Sequence, residues 1–127
     1  CGPATIFAEQ NIDQYLKVSS SLLPRNKSNL YALIADGDSM NKAEVETGKV
    51  IESGDFVLVD SEYKNYKKGD IVVAVIDGLA TIKRYREDKI NKMIILEADS
   101  TNKYLPIFIH EGDDFQISGK VVGIIKS

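Results

Sequence analysis

Cysteine, histidine and tryptophan are scarce in this chain of 127 residues, which has one cysteine, one histidine and no tryptophan. A single cysteine permits no disulfide within the chain and suits a reducing compartment, so we expect a cytoplasmic protein. No apolar run approaches the roughly 20 residues that a membrane-spanning helix requires. These absences argue against a disulfide-stapled secreted domain and against a protein held in the membrane by a helix.

An excess of basic residues is also missing, because the formal net charge is −3 and the isoelectric point is about 5.2. Surfaces that bind nucleic acids usually carry clustered positive charge, so we expect no such interface on this segment. The composition is that of an ordinary globular protein, 43% apolar and 28% charged. Length and composition together predict a single domain, residues 1–127, with one core.

Short runs of β-branched and aromatic residues, separated by turn signals about every 8 to 12 residues, predict an all-β domain. The most apolar run, residues 71–76, is expected to be a strand buried on both faces. Asp77-Gly78 is a strong two-residue hairpin signal and leads directly into a strand that contains Lys83. The acidic, glycine-broken segment 42–54 predicts a solvated loop. Further strands are predicted at residues 30–35, 56–59, 93–98, 106–109, 115–117 and 121–125.

The motif Gly37-Asp38-Ser39-Met40 directly follows the first predicted strand. A serine beside a glycine at a strand end can lie in a tight turn with its hydroxyl exposed. Backbone N–H groups of such a turn, here continued by a helical turn from Asn41, can face a developing negative charge. Gly, Asp and Ser are also the residues that ordinary polar turns prefer. Taken alone, the motif favours the ordinary turn, and a catalytic interpretation requires a partner.

A serine at its free pKa is a weak nucleophile, so a catalytic Ser39 requires a general base. The single histidine, His110, ends a predicted strand beside an acidic turn, where a solvated surface histidine is the more common outcome. A lysine kept neutral by burial is the other known base. Lys83 is the candidate, but strand alternation places Lys83 and Arg84 on opposite faces without indicating which of them is buried.

Several motifs occur in a fixed order along nearly the whole chain, and their order and spacing are more specific than any one of them. Together they resemble the C-terminal domain of the LexA-type and phage repressors and of UmuD, the self-cleaving peptidase family S24. Residues 42–52 depart from this family, because they are longer and more charged than its matching segment. The motifs are Gly37-Asp38-Ser39-Met40, residues 53–60, residues 68–74, Ala80-Thr81-Ile82-Lys83-Arg84, Ser100-Thr101-Asn102 with Pro106-Ile107, and residues 119–125.

The resemblance implies a serine endopeptidase that cuts its own chain, with Ser39 as the nucleophile and Lys83 as its general base. Backbone N–H groups of Asp38 and Ser39 would bind the oxyanion. The bond that this family cuts is Ala-Gly or Cys-Gly, so Cys1-Gly2 would be the scissile pair. No metal or other cofactor is implied.

The family fold is a compact set of strongly bent sheets of short strands, the β-clip. Residues 1–29 would form the cleavage-site loop region with its lead-in, and residues 30–127 the catalytic core. The resemblance also implies a homodimer formed through residues 121–125, activation by the RecA–single-stranded-DNA filament after DNA damage, and transcriptional repression. DNA would be bound only through a missing N-terminal domain.

Other functions stay open at this point. The Cys-Gly pair favours a UmuD-like accessory subunit of an error-prone DNA polymerase, and the domain can also be a dimerisation module with an idle dyad. An N-terminal cysteine is also found in lipoproteins, although the Ser39 and Lys83 motifs favour the cleavage site. The acidic residues of the 42–55 segment favour a solvated loop over a metal site, because no histidine or cysteine accompanies them.

Overall fold

The computed structural model describes residues 30–126 of the chain. Within this range the chain forms nine β-strands and no helix, and so contains no helix that could cross a membrane. This confirms the all-β prediction. In chain order the strands are β1 (Leu30–Ile34), β2 (Glu44–Glu46), β3 (Lys49–Val50), β4 (Phe56–Asp60), β5 (Ile71–Ile76), β6 (Leu79–Asp88), β7 (Met93–Glu97), β8 (Ile107–His110) and β9 (Phe115–Ile125).

Seven of the strands form one sheet in the order β1-β4-β9-β5-β6-β7-β8, in which every neighbouring pair is antiparallel. The remaining two, β2 and β3, form a separate two-stranded ribbon. Antiparallel neighbours that follow one another in sequence need only short connections. The four consecutive strands β5 to β8 are also neighbours in the sheet, so they form a meander.

The ribbon lies where the acidic composition predicted a solvated loop. Most of residues 44–50 are exposed, as that prediction requires, but Glu44–Glu46 and Lys49–Val50 form strands and not a loop. The side chains of Ala43 and Ile51, on either side of the ribbon, are fully buried. The Ile51 N–H donates to the carbonyl of Ala43 at 3.2 Å. Apolar residues at both ends thus hold the ribbon against the core, while its two glutamates, Glu44 and Glu46, remain exposed.

The hairpin between β5 and β6 forms at the predicted turn. Asp77 and Gly78 both have positive φ, at 50° and 81°. A type I′ turn requires positive φ at both central residues, and its twist matches that of the flanking strands. The turn pairs Ile76 with Leu79. Four residues further along each strand, the same register places Lys83 opposite Val72.

Strand β5 is buried on both faces over its first four residues, as predicted, and it separates two apolar clusters. Ile71 and Val73 face the larger cluster, which includes Leu33, Met40, Val57 and Ile82. Val72 and Ala74 face the smaller one, which includes Tyr85, Leu96 and Ile109. Because successive side chains of a strand point to opposite faces, one continuous apolar run contributes to both clusters.

Strand β9 is a single strand of 11 residues, where the sequence predicted two separate short ones. Its first half pairs with β5 and its second half with β4, and each pairing contains a register shift. Gly119 lies at this crossing, where an added Cβ would be 2.6 Å from the carbonyl oxygen of Asp60. Only glycine allows the backbones to approach so closely, which explains why the strand continues through a residue that reads as a strand breaker.

Candidate active site

Ser39 lies in a tight turn between β1 and β2. The N–H of Asn41 donates to the carbonyl of Asp38 at 3.2 Å, and the N–H of Ala43 donates to that of Met40 at 3.0 Å. These bonds span three residues each and do not continue into a helix, since β2 begins at Glu44. Met40 is fully buried and holds the turn in the larger apolar cluster.

The sequence predicted an exposed hydroxyl for Ser39, but the structure buries this residue to 3% exposure. The reason is the contact that the hydroxyl makes. The Nζ of Lys83 lies 3.0 Å from the Oγ of Ser39, within hydrogen-bonding distance. The two residues are 44 positions apart in sequence and meet because the turn after β1 packs over the centre of β6.

Lys83 is the buried member of the Lys83–Arg84 pair, with 6% of its surface exposed. Besides Ser39, its Nζ contacts the Oγ1 of Thr81 at 2.6 Å and the carbonyl oxygen of Ile82 at 3.2 Å. Arg84 is turned toward the surface, where its Nε donates to a carboxylate oxygen of Asp99 at 2.9 Å. The structure thereby answers the question that strand alternation left open.

Burial lowers the pKa of the Lys83 amine below its ordinary value of 10.5, because desolvation penalises the charged form. A neutral amine has two N–H groups and one lone pair, whereas an ammonium has three N–H groups and no acceptor. The carbonyl of Ile82 can only accept, and the hydroxyl of Thr81 can accept as well. When its two N–H groups donate to these two oxygens, a neutral Lys83 has its lone pair left to accept the proton of the Ser39 hydroxyl 3.0 Å away. This is the arrangement in which a lysine can remove a proton from a serine.

Comparison with known proteins bears on what this arrangement does. The profile of the family described as Peptidase S24-like matches residues 2–122, which is most of the chain. The chain belongs to the Peptidase S24-like family. This confirms the resemblance drawn from the ordered motifs, and it supports a peptidase domain.

The LexA repressor of Petrotoga mobilis is 34% identical over 123 residues, covering 95% of this chain and 54% of that protein. The LexA repressor of Carboxydothermus hydrogenoformans is 34% identical over 94% of this chain and 53% of its own length. That of Clostridium perfringens is 37% identical over 96% of this chain and 53% of its own length. This S24-like chain therefore resembles a LexA-type peptidase domain and spans about half the length of these relatives.

The predicted oxyanion site of this S24-like chain lies at the start of the turn. The hydrogen bonds found within the turn, from Asn41 to Asp38 and from Ala43 to Met40, use neither the N–H of Asp38 nor that of Ser39. The carboxylate of Asp38 accepts hydrogen bonds from Tyr104 and Asn102. These bonds lower the pKa of Asp38 below its usual value, and the bond from Tyr104 has the larger effect.

His110 is not part of this arrangement. Its side chain is 62% exposed and its Nδ1 lies 3.7 Å from a carboxylate oxygen of Asp113. It lines an open cleft of about 430 Å³ with residues of the β6–β7 turn and of β9, and neither Ser39 nor Lys83 lines that cleft. The position agrees with the surface role that the sequence favoured for His110.

Two acidic residues of the 42–55 segment, Glu52 and Asp55, form ion pairs and belong to no metal-site cluster found among the described residues. Asp55 is 1% exposed and pairs with Lys126, which also contacts Glu52 at 2.9 Å. Among residues 30–126, no group of three or more His, Cys, Asp or Glu side chains is arranged to hold a metal ion. The proposed scissile residues, Cys1 and Gly2, and the lead-in to residue 29 lie outside the described residues.

Sequence reasoning missed two sets of residues near the site. Thr81 contacts the base, and a signal was available, because strand alternation puts residues 81 and 83 on one face. The residues that contact Asp38 come from the loop between β7 and β8. Ser100 and Asn102 were quoted only as part of the family pattern, and nothing in the sequence pointed to Tyr104.

Proposed function

We propose that this chain is the self-cleaving serine endopeptidase domain of a LexA-like transcriptional repressor, with Ser39 and Lys83 as its catalytic dyad. One observation carries the proposal: the Nζ of Lys83 lies 3.0 Å from the Oγ of Ser39, and both side chains are buried. Burial lowers the pKa of Lys83 and so favours the neutral amine that a lysine base needs. The distance is within the range in which a proton can pass between the two atoms.

In the proposed reaction, Ser39 attacks the carbonyl carbon of Cys1. A bond forms between Oγ and that carbon, and the hydroxyl proton passes to the neutral amine of Lys83. The tetrahedral intermediate then collapses, the bond to the nitrogen of Gly2 breaks, and Lys83 returns the proton to the leaving amine. Water hydrolyses the resulting ester of Ser39, again with Lys83 as the base.

The negative charge that develops on the carbonyl oxygen of Cys1 requires hydrogen-bond donors that are already in place. The backbone N–H groups of Asp38 and Ser39 are proposed for this role, since they open the turn. Small residues at the scissile bond are physically reasonable. A loop that must enter its own active site needs little side-chain bulk, and Gly2 lets the two backbones approach closely.

Cleavage would act as a switch, because each molecule cuts itself once. We propose that the RecA–single-stranded-DNA filament favours the cleavable conformation after DNA damage, and that cleavage separates a DNA-binding part from a dimerising part. The names of the LexA relatives support a repressor over a UmuD-like polymerase subunit. The segment upstream of Cys1 decides between them, since a helix-turn-helix indicates a repressor and a short tail indicates a polymerase partner.

The proposed homodimer would form through the end of β9. Residues 120–125 pair with β4 on one side. In the described part of the chain, the ladder with β5 ends at Lys120, so the opposite side of 121–125 carries no ladder. A strand side of this kind is a template for a second copy. Sedimentation that shows only monomer at tens of micromolar, roughly where modest interfaces form, would contradict the dimer.

The function is tested by incubating the purified full-length protein at alkaline pH and weighing the products by mass spectrometry. We expect one cut, between Cys1 and Gly2, and no cut in the Ser39→Ala variant. A full-length protein that stays intact at every pH would favour an idle dyad. A cut at another bond would contradict the assigned scissile pair.

A further inference from the structure

The loop between β7 and β8 lies against the turn that carries Ser39. We call residues 99–104 of this loop the strap. Two backbone hydrogen bonds join the strap to the turn. The N–H of Asp99 donates to the carbonyl of Ser39 at 2.9 Å, and the N–H of Lys42 donates to the carbonyl of Asp99 at 2.9 Å. The backbone of the nucleophile itself is therefore bonded to the strap.

Three strap side chains converge on a single residue of the turn, Asp38. The hydroxyl of Ser100 donates to the carbonyl oxygen of Asp38 at 2.7 Å. The amide of Asn102 donates to one carboxylate oxygen at 2.5 Å, and the hydroxyl of Tyr104 donates to the other. Both the main chain and the side chain of the residue preceding the nucleophile are thus held by the same short segment.

A second contact lies on the other side of the nucleophile. The side chains of Asn41 and Thr101 face each other across the gap between turn and strap. The Nδ2 of Asn41 donates to the Oγ1 of Thr101 at 2.9 Å, and the backbone N–H of Thr101 donates to the Oδ1 of Asn41 at 2.9 Å. Residues on both sides of Ser39 are therefore tied to the strap.

The strap is in turn tied to the strand that carries the base. Arg84, the residue after Lys83, donates from Nε to the carboxylate of Asp99 at 2.9 Å and from Nη1 to the carbonyl oxygen of Gly69 at 2.6 Å. Lys83 contacts Ser39 directly, while Arg84 holds the strap residue that bonds to the carbonyl of Ser39. Nucleophile and base are thus linked by two separate routes.

Stability alone does not account for this convergence. Thr101, Asn102 and Tyr104 are exposed, Tyr104 to 46%, whereas Asp99 and Ser100 are partly buried. Exposed polar contacts contribute little to the free energy of unfolding. What they do control is position, and a misplacement of about 1 Å in an active site can cost roughly 100-fold in rate.

We infer that the strap is a positioning element for the nucleophile, with Asp38 as its main contact: it fixes the backbone of residues 38 and 39 and, through it, the hydroxyl and the oxyanion donors. The catalytic part of this inference rests on the proposed function. Three strap residues are positioning residues in this sense: Ser100, Asn102 and Tyr104. They contact Asp38 and make no hydrogen bond to Lys83 among those described.

The decisive variant is Tyr104→Phe in the full-length protein. It removes one hydroxyl and keeps the ring and the charge of Asp38. We expect the plateau rate of self-cleavage at high pH to fall by about tenfold, with the pH of half-maximal rate unchanged because Lys83 is untouched. The matched control is Tyr63→Phe, in the β4–β5 loop, whose ring packs against Tyr66 and Lys120. Its plateau rate should equal that of the wild type.

A double-mutant cycle with Asp38→Ala separates positioning from general loosening of the surface. Once the carboxylate is absent, Tyr104→Phe should have no further effect on the plateau rate. Equal effects of Tyr104→Phe with and without Asp38 would overturn the assignment of Asp38 as the contact. A rate within twofold of the wild type for Tyr104→Phe would overturn the catalytic role of the strap.

Amide hydrogen exchange tests the strap independently of cleavage. In a Ser39→Ala background, Tyr104→Phe should accelerate exchange at the N–H groups of Lys42 and Asp99 by about tenfold, whereas Tyr63→Phe should not. Unchanged exchange rates at both amides would overturn the claim that the strap holds the turn, whether or not the protein cuts itself. Absence of cleavage in the wild type would refute the proposed function and the catalytic role together, and the exchange result would still decide whether the strap holds the turn.

Discussion

Lys83 and Lys126 occupy opposite kinds of surroundings. Lys83 is buried at the centre of β6, where it contacts two hydroxyl groups and a carbonyl oxygen. Lys126 follows β9 and is about one-third exposed, and it contacts the carboxylates of Asp55 and Glu52 as well as the carbonyl oxygen of Val50. The same side chain is used once as a candidate base and once as a fixed positive charge.

The pKa values of the two amines move in opposite directions for this reason. Desolvation lowers that of Lys83, whereas hydrogen bonds to Asp55 and then Glu52 raise that of Lys126. A lysine becomes a base at moderate pH when burial dominates and its neighbours can accept hydrogen bonds from a neutral amine. It becomes a structural cation when carboxylates surround it.

The largest effect should come from removing the candidate base, with removal of Lys126 as the comparison. Lys83→Ala should reduce self-cleavage by at least about 1000-fold, because general-base catalysis contributes roughly 100- to 10,000-fold and the buried hydroxyl also loses its partner. Ser39→Ala should abolish it. Lys126→Ala is the matched control and should retain cleavage. The measurement is the rate of product formation in the full-length protein, followed by gel electrophoresis at fixed pH.

Lys83→Arg sharpens the same comparison. A guanidinium hardly loses its proton, so this variant should be slow and should need a higher pH than the wild type. Normal cleavage by Lys83→Ala, or loss of cleavage in a folded Lys126→Ala protein, would reverse the roles assigned to the two residues.

The second effect concerns the stability that the ion pair between Asp55 and Lys126 contributes. Asp55→Asn should lower the free energy of unfolding by about 1–3 kcal/mol, because the buried carboxylate loses a charge-assisted contact with Lys126. The cleavage rate of the folded protein should change little. Chemical denaturation with unchanged slope measures the loss, and Asp36→Asn, at an exposed position, serves as control. Equal stability of both variants would show that this ion pair is dispensable.

The third effect is also on stability, but here the substitution, of Lys83, should raise the free energy of unfolding. The folded state lowers the pKa of Lys83, so it binds that proton less readily than the unfolded chain does. This contribution opposes folding at neutral pH and fades as pH rises from the folded pKa toward 10.5, the ordinary value. In a Ser39→Ala background, Lys83→Met should therefore be more stable by about 1 kcal/mol at pH 7, with the difference shrinking toward pH 10.

Thermal unfolding at a series of pH values checks this prediction. A Lys83→Met protein that is less stable than its parent at pH 7 would mean that the hydrogen bonds of the ammonium outweigh its burial. A stability gap that widens as pH rises would contradict the lowered pKa.

The smallest effect is expected at the histidine. His110→Ala should leave the cleavage rate and its pH dependence within error of the wild type, because the side chain is exposed beside Asp113 and away from Ser39. The rate is compared at several pH values from 6 to 10. A loss of tenfold or more would make His110 a participant in the reaction and would weaken the case for a lysine base.

Much of the fold could be predicted from local patterns. The continuous apolar run of β5 and the Asp77-Gly78 turn fixed one hairpin and its register, because both signals depend only on neighbouring residues. The β2–β3 ribbon was missed because its charged positions outweighed Ala43 and Ile51 at its ends. The continuity of β9 was missed because Gly119 reads as a break, and only the packing against Asp60 shows why glycine is required there.

The two principal site residues could be named from the sequence through the family resemblance, but their environment could not. Alternation along β6 left Lys83 and Arg84 equivalent, because burial depends on which element packs on each face. The contacts of Asp38 with Asn102 and Tyr104 join positions 64 and 66 residues apart. No local pattern predicts them, since they arise only when the β7–β8 loop lies against the turn.

The pH dependence of self-cleavage in the full-length protein, measured without any activator, tests the central claim most directly. Lys83 must be neutral to accept the proton of Ser39, so the rate should rise with pH and level off above the pKa of Lys83, with its midpoint below 10.5. Lys83→Ala should lower the cleavage rate by at least about 1000-fold at every pH. A rate that is independent of pH, that falls as pH rises, or that keeps its normal profile in Lys83→Ala would contradict the assignment of Lys83 as the base.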